Sequence, residues 1–260
     1  MTCRDTYYKK MAQQKIAKVE ADSEATRLLF GVDSATGANN LLQNNLTQYE
    51  WAVRNKVYPY FWGRNIVGEH ALTKEEIEFL KGEICKIAPI YQRDGEKKTE
   101  EQGELDANAA NDAAMKLGIP YQTAIFLEIG EQEVTRNYLR GYAKILLREG
   151  YTPGFRANTD AKYNFDAEYS RGIQSNQEMF EKCLIWAVAP SLVEFQRIRT
   201  THIIHPDEWK PYAPSGMHRN EIAIWQYGKD CHPIYDDDGR EVTFNINLVR
   251  NNDVINKKMI

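Results

Sequence analysis

The fold is decided by the stretch Thr123-Ala-Ile-Phe-Leu-Glu-Ile-Gly-Glu-Gln-Glu133, near the middle of the chain. Its first half is apolar and predicts a buried strand, whereas its second half carries three carboxylates, Glu128, Glu131 and Glu133. A segment with apolar residues at helical spacing follows, over residues 134–149. A buried strand that ends in acidic residues and leads into a helix is typical of β/α enzymes, which place their chemistry at strand ends.

Seven further segments have the apolar character of strands, and helical patterns separate most of them. These segments are residues 28–33, 58–63, 87–92, 152–158, 183–188, 221–227 and 242–246. Eight strands alternating with helices predict an α/β fold, a (β/α)8 TIM-type barrel. Helical patterns are weak between the last strands, so we expect irregularity in the last third. A doubly wound open sheet is the main alternative, although no glycine-rich nucleotide-binding loop follows any strand.

The chain is predicted to divide into an N-terminal helical extension, residues 1–27, and a barrel, residues 28–260. The extension is polar and lacks the apolar core of a signal peptide. No apolar run approaches the ~20 residues of a membrane span. We therefore expect a protein that is cytoplasmic when made, with release by lysis or a dedicated export route left open. The extension would suit docking to a protein partner.

Charge and composition exclude some classes of function. The net charge is −4, which argues against a non-specific nucleic-acid surface. The four cysteines are widely scattered and form no C-x-x-C motif, so we expect reduced thiols used as small apolar residues, with disulfides left open. His202 and His205 could bind zinc together with His218 or His232, but no ligand motif is complete, and we predict neither metal nor cofactor. Asp238-Gly239 predicts a hairpin turn.

Acidic, amide and aromatic side chains are predicted at the carboxyl ends of the strands. The candidate catalytic residues are Asp33, Glu128 and Glu131, and the candidate substrate-binding residues are Trp62, Tyr91, Gln92, Arg156, Trp186, Gln226, Tyr227, Asn245 and Asn247. Two carboxylates across a pocket can act as acid and as base or nucleophile, while amides pair with hydroxyls and aromatic rings stack on sugars. This set favours a carbohydrate site over a phosphate site. The alternatives are that Asp33 caps a turn, that Glu131 stabilises a helix start, and that Trp186 belongs to the core.

Several motifs carry a resemblance to a known family. The segment Phe30-Gly-Val-Asp33 resembles the first strand of the family 25 glycoside hydrolases (muramidases), and more closely that of their glycoside-hydrolase-like relatives, domain of unknown function 1906. Further similar segments, in order, are Ala88-Pro-Ile-Tyr-Gln92, Leu117-Gly-Ile-Pro120, Gly150-Tyr-Thr-Pro-Gly-Phe155, Ile185-Trp-Ala187, Trp225-Gln-Tyr227 and Phe244-Asn-Ile-Asn-Leu248. The resemblance implies a barrel that acts on the sugar backbone of the bacterial cell wall.

The resemblance also implies roles for single positions. In that family the fourth strand ends Asp-x-Glu, with the Glu as proton donor. Here Glu128 stands at the Asp position, Gly130 stands at the Glu position, and Glu131 follows one residue later. Asn245 stands where the family has an Asp near the eighth strand, while Asp33 is retained.

Two functions are therefore expected. The first is hydrolysis of cell-wall glycan (peptidoglycan), with Glu128 or Glu131 as proton donor and Asp33 stabilising the charge of the transition state. The second is a catalytically degenerate barrel that binds glycan or serves as an interaction module. A phage origin of such a module is left open.

Overall fold

The computed structural model describes residues 28–42, 45–55, 57–192, 197–198, 209–233, 242–250 and 252–260. The predicted N-terminal extension, with its proposed docking role, lies outside these residues. So do His202, His205 and the turn predicted at residues 238–239.

Strands and helices alternate along most of the described chain. The strands are β1 (Leu29–Asp33), β2 (Phe61–Asn65), β3 (Lys86–Tyr91), β4 (Ala124–Gly130), β5 (Thr152–Ala157), β6 (Leu184–Leu192), β7 (Arg197–Ile198), β8 (Ile224–Pro233) and β9 (Phe244–Val249). The helices are α1 (Gln48–Arg54), α2 (Lys74–Gly82), α3 (Glu100–Leu117), α4 (Arg136–Arg148), α5 (Asn164–Ser175), α6 (Gln177–Phe180) and α7 (Asn252–Lys258), with a short 3₁₀ turn at Arg219–Glu221.

Eight of the strands close into a barrel. Strands β1 to β6 pair in sequence order and in parallel, and β6 pairs in parallel with β8. Strand β9 closes the ring by pairing antiparallel with both β8 and β1. The predicted α/β barrel is confirmed, and the closure excludes the open-sheet alternative. An antiparallel strand needs no crossover helix, which explains the weak helical pattern between the last two strands, β8 and β9.

Helix α3 begins inside a charged segment of the chain. It starts at Glu100, because Thr99 and Gln102 form a capping box. The Thr99 side chain accepts the backbone N–H of Gln102, and the Gln102 side chain accepts the backbone N–H of Thr99. The helix ends at Gly118, whose φ of 72° is a left-handed conformation that favours glycine.

Helices α3 and α4 approach each other through glycine. A Cβ atom on Gly103 would lie 2.1 Å from the carbonyl oxygen of Tyr138, and one on Gly141 would lie 2.2 Å from that of Glu100. Both glycines are therefore required by the spacing of the two backbones.

Large side chains fill the barrel beneath the strand ends. Trp186 packs edge-on against Phe61 and Phe126, with ring centroids 6.1 and 5.3 Å away. This packed floor closes the interior of the barrel below the carboxyl ends of the strands. Cys85, Cys183 and Cys231 are buried free thiols. In the described part of the chain, no helix has the length and apolarity needed to cross a bilayer.

Candidate functional site

Asp33, the last residue of β1, is the centre of a hydrogen-bond network at the barrel mouth. Its Oδ1 atom accepts bonds from Arg156 Nη2 at 3.1 Å and from Asn245 Nδ2 at 2.8 Å. Its Oδ2 atom accepts a bond from Asn247 Nδ2 at 2.9 Å. Asp33 is 6% exposed, so these three donors compensate for the cost of burying its carboxylate.

Arg156 of β5 links the two inward carboxylates. Its Nη1 atom donates to Glu128 and its Nη2 atom donates to both Asp33 and Gln226. The guanidinium also lies 5.2 Å from the centre of the Trp186 ring, within cation–π range. Burial alone would lower the pKa of Arg156, but the charges of Asp33 and Glu128 outweigh it and raise that pKa above its ordinary value. The guanidinium is therefore a fixed positive charge.

The sheet register brings these side chains together. Glu128 of β4 and Trp186 of β6 are the two register neighbours of Arg156, and Asn245 of β9 is the register neighbour of Asp33. Across from Asp33 stands Gly63, whose missing side chain leaves room, since a Cβ there would lie 2.6 Å from that of Asp33. The network is thus built from strand pairing and from one glycine.

A cleft of about 340 Å³ opens above the network. Its lining is Asp33, Ser34, Ala35, Asn65, Ile90, Gln92, Glu128, Ile129, Gly130, Glu131, Gln132, Arg156 and Asn245. Carboxylates and amides dominate this set, and no tryptophan or tyrosine belongs to it within the described chain. The cleft is therefore suited to hydroxyl-rich groups that exchange hydrogen bonds rather than to a large apolar ligand.

The end of β4 turns Glu131 away from the floor of the cleft. The β4–β5 register shifts between Glu128 and Gly130, and Gly130 has a φ of 58°, a left-handed conformation that favours glycine. Glu131 is exposed, and its Oε1 atom accepts bonds from Tyr163 Oη at 2.7 Å and from Asn158 Nδ2 at 3.4 Å. It lies at the rim, outside the Arg156 network.

A buried lysine supports the same rim. Lys97 Nζ donates to the side-chain oxygen of Gln132, which lines the cleft, and to the backbone oxygen of Arg93 at 3.3 Å. Burial lowers the pKa of Lys97, while the charges of Asp106 and Glu128 act in the opposite direction. Lys97 therefore places a second positive charge behind the carboxylates.

A buried ion pair fixes the loop that follows β1. Arg64 Nε lies 2.8 Å from Glu76 Oε1, and the two side chains are 1% and 2% exposed. Arg64 also donates to the backbone oxygens of Ser34 and Ala35, both at 2.9 Å, and Glu76 accepts the N–H of Ala38 at 2.8 Å. The wall of the cleft beside Asp33 is therefore rigidly held.

The twelve candidate residues fall into three groups. Those that line the cleft are Asp33, Gln92, Glu128, Glu131, Arg156 and Asn245. Those that lie buried around Arg156 and Asp33 are Trp186, Gln226 and Asn247. Those that are buried outside the lining are Trp62, Tyr91 and Tyr227. Their roles in binding and catalysis stay predictions.

The aromatic candidates are occupied within the protein. Trp62 Nε1 donates to Ser34 Oγ at 2.8 Å, and Trp186 Nε1 donates to Asn247 Oδ1 at 2.9 Å. Burial, followed by the charge of Asp106, raises the pKa of Tyr91 to about 12. These side chains therefore serve the core or orient the polar network instead of facing the cleft.

Sequence reasoning missed four residues that shape the cleft: Arg64, Glu76, Lys97 and Tyr163. Glu76 lies three residues after Thr73, the N-cap of α2, and this spacing indicates only the start of a helix. Lys97 lies in a charged segment without a periodic signal. Among the residues that the structure describes, no group of three His, Cys, Asp or Glu side chains could hold a metal ion.

Residues 57–240 match the family model described as Rv2525c-like, glycoside hydrolase-like domain. An uncharacterized protein of B. stearothermophilus has a similar solved structure, with a TM-score of 0.71 and 26% identity over 89% of this chain and 100% of that one. The modular autolysin LytC from Streptococcus pneumoniae aligns with a TM-score of 0.48 and 9% identity, over 85% of this chain and 46% of that one. A muramidase from Acremonium alcalophilum aligns with a TM-score of 0.48 and 10% identity, over 86% of this chain and 94% of that one. No curated protein sequence matches the chain.

Proposed function

The chain belongs to the Rv2525c-like, glycoside hydrolase-like domain family, and on this premise we propose that its cleft binds the sugar backbone of bacterial cell-wall glycan. The chemistry proposed is recognition of sugar hydroxyls and amides by the side chains that line the cleft. Glycan binding, rather than hydrolysis by a pair of carboxylates, is the function that the geometry supports best.

The position of Arg156 between Asp33 and Glu128 carries this proposal. Both carboxylates bond one guanidinium, so a fixed positive charge lies between them. Hydrolysis by two carboxylates needs them on opposite sides of the scissile bond, about 5 Å apart for retention and more for inversion. In this cleft both carboxylates are paired with Arg156, so either one would have to give up an ion pair before it could act as nucleophile or proton donor.

The replacement of acids by amides supports the same conclusion. Asn245 donates to Asp33, and an amide can neither accept a proton as a base nor attack a sugar carbon. Gly130 has no side chain, and it stands at the position where the sequence resemblance to the family 25 glycoside hydrolases implies a proton donor. The remaining side chains form a rigid polar surface. Such a surface suits binding, because its side chains lose little conformational entropy when a ligand docks.

The polar lining matches a glycan in chemistry. Gln92, Asn65 and Gln132 offer amide donors and acceptors around the carboxylates of the cleft. Hydroxyl and acetamido groups of a sugar can both donate to and accept from such side chains. The cell-wall source of the glycan is taken from the sequence resemblance to muramidases.

Hydrolysis is the second candidate function, and Glu131 is the observation that favours it. Glu131 lines the cleft and forms no salt bridge within the described residues, in contrast to Asp33 and Glu128. A carboxyl group at the rim could protonate a leaving oxygen, with Tyr163 holding it in place.

Co-sedimentation with purified peptidoglycan tests the proposal, with reducing-sugar release measured on the same samples. We expect the wild type to sediment with the wall material and to release no reducing sugar. Gln92→Ala removes an amide of the cleft, so we expect weaker sedimentation. Gln177→Ala removes the same group from an exposed position on α6 and serves as the matched control. Failure of the wild type to sediment overturns the proposal.

Glu131→Gln separates the two candidate functions. If reducing sugar is released by the wild type and this substitution abolishes the release, the protein is a hydrolase and the binding-only account is wrong. If the wild type sediments without release and Glu131→Gln sediments equally well, binding is the function.

A further inference from the structure

A segment between β7 and β8, residues 209–217, is held by hydrogen bonds although it has no regular secondary structure. Trp209 Nε1 donates to the backbone oxygen of Arg219 at 2.8 Å. Further along, the N–H of Ser215 donates to Asp166 Oδ1 at 2.6 Å, and Ser170 Oγ donates to the backbone oxygen of Ser215, also at 2.6 Å. Helix α5 therefore anchors one end of this segment, and Trp209 anchors the other.

Tyr212 lies in the middle of that segment and projects outward. Tyr212 is 55% exposed although its side chain is large and aromatic. Pro211 and Pro214, on either side of it, are buried. Its backbone oxygen accepts a bond from Thr159 Oγ1 at 2.8 Å. A large ring kept in solvent on a fixed backbone costs little entropy when it is covered, which is typical of a binding residue.

The bonds that hold Tyr212 also tie it to the cleft. Thr159, its partner, follows Asn158, and Asn158 Nδ2 donates to Glu131 Oε1 at the rim. Tyr163 Oη donates to that same Glu131 oxygen. Tyr163 therefore contacts a rim residue of the cleft directly, and Tyr212 is connected to the same residue through Thr159 and Asn158, on the side where β5 ends.

Within the described chain, the cleft lacks an aromatic side chain, and Tyr212 is an exposed one beside the end of β5. No aromatic ring belongs to its described lining, yet sugar rings have apolar faces that aromatic side chains cover. A polymer held in the cleft by hydrogen bonds has to leave it over the rim, and at the end of β5 it would meet Tyr212.

We propose that Tyr212 forms a second sugar-binding subsite, adjoining the cleft, that stacks on the next unit of the bound glycan, with Tyr163 and Asn158 as polar neighbours. This inference rests on the proposed function, because it assumes that a glycan occupies the cleft. It adds a consequence of its own, which is that affinity depends on the length of the chain.

The test is calorimetric titration with the disaccharide repeat of peptidoglycan glycan and with a longer oligomer of the same repeat. We expect the wild type to bind the longer oligomer about tenfold more tightly, the effect of covering one aromatic ring. Tyr212→Ala should lose that gain and keep its affinity for the disaccharide, whereas Tyr212→Phe, which keeps the ring, should retain the gain.

Tyr121→Ala is the matched control, because Tyr121 is also an exposed tyrosine, at 68%, but precedes β4 and so lies at the opposite end of the barrel. The subsite is overturned if the disaccharide binds but length brings no gain, if Tyr212→Ala keeps the gain, or if that variant weakens both ligands equally. If neither ligand binds to the wild type, the proposed function fails and the subsite with it.

Discussion

Arg156 on β5 donates a hydrogen bond of 3.1 Å to Asp33 on β1, although the two residues are 123 positions apart in the sequence. Only closure of the barrel brings them together, and the side chains are 11% and 8% exposed. Because a buried charge is costly without its partner, this ion pair couples the integrity of the fold to that of the cleft.

Removing the arginine should destabilise the protein strongly. Arg156→Met leaves the carboxylates of Asp33 and Glu128 buried without their positive partner, and we expect unfolding to become easier by roughly 3 kcal/mol. Urea unfolding followed by circular dichroism measures the change. Arg148→Met, at an exposed ion pair with Glu149, should stay within about 0.5 kcal/mol. Equal, small changes in both variants would contradict the role given to Arg156.

The pKa values of two adjacent lysines, Lys97 and Lys98, should be shifted in opposite directions from the ordinary lysine value. Burial lowers the pKa of Lys97, whereas the hydrogen bond that Lys98 donates to Glu96 and the negative charge of Glu96 raise the pKa of Lys98. An NMR titration of labelled lysine side chains should therefore show Lys97 losing its proton at lower pH than Lys98. The reverse order would show that Lys97 is not buried behind the cleft.

The lowered pKa of Lys97 also affects stability. Between that pKa and the ordinary lysine value of about 10.4, the unfolded chain binds more protons than the folded one. This group's contribution to the free energy of unfolding therefore rises with pH across that interval. Lys97→Met should remove this part of the pH dependence, and an unchanged profile would exclude it.

The glycine contact between α3 and α4 allows a sharp test of packing. Gly141→Ala places a Cβ atom 2.2 Å from the backbone oxygen of Glu100, so we expect a loss of roughly 3 kcal/mol or displacement of the helices. Gly82→Ala, at the end of α2 with nothing within 4 Å, should be neutral or slightly stabilising. Thermal unfolding of the two variants measures the difference, and equal melting temperatures would contradict it.

The buried cysteines should be unreactive in the folded protein. Burial raises the pKa of Cys85 and Cys183, and burial with the nearby charge of Asp230 raises the pKa of Cys231 to about 12. In a Cys3→Ser variant, we expect a thiol reagent to label the protein only after a denaturant is added. Rapid labelling of the native variant would show that at least one of these thiols is accessible.

The sequence predicted most of the architecture because apolar strands and helical periodicity are local signals. The fourth strand was placed correctly from its apolar run, and the barrel followed from the alternation of elements. Asp33, Glu128 and Arg156 were found because each ends or nearly ends a strand, and the carboxyl ends of parallel strands share one edge.

The contacts between those residues could not be predicted. Nothing local indicates that the Arg156 guanidinium lies between two carboxylates, since this depends on strand order and closure. The same is true of Lys97, which reads as a solvated charge but is buried by a tertiary contact with Gln132. Trp62 and Tyr91 do not belong to the lining of the cleft, and strand position alone does not say which face of a strand a side chain takes.

The most direct test of glycan binding in this cleft is a ¹⁵N NMR titration with soluble fragments of peptidoglycan glycan. The Nε–H group of Arg156 is a suitable probe, because it is buried and has no hydrogen-bond partner among the described residues. We expect saturable shifts of that signal and of the backbone amides from Ile129 to Glu131, with the amide of Tyr121 unaffected. Absence of any shift, or shifts confined to the opposite end of the barrel, would contradict it.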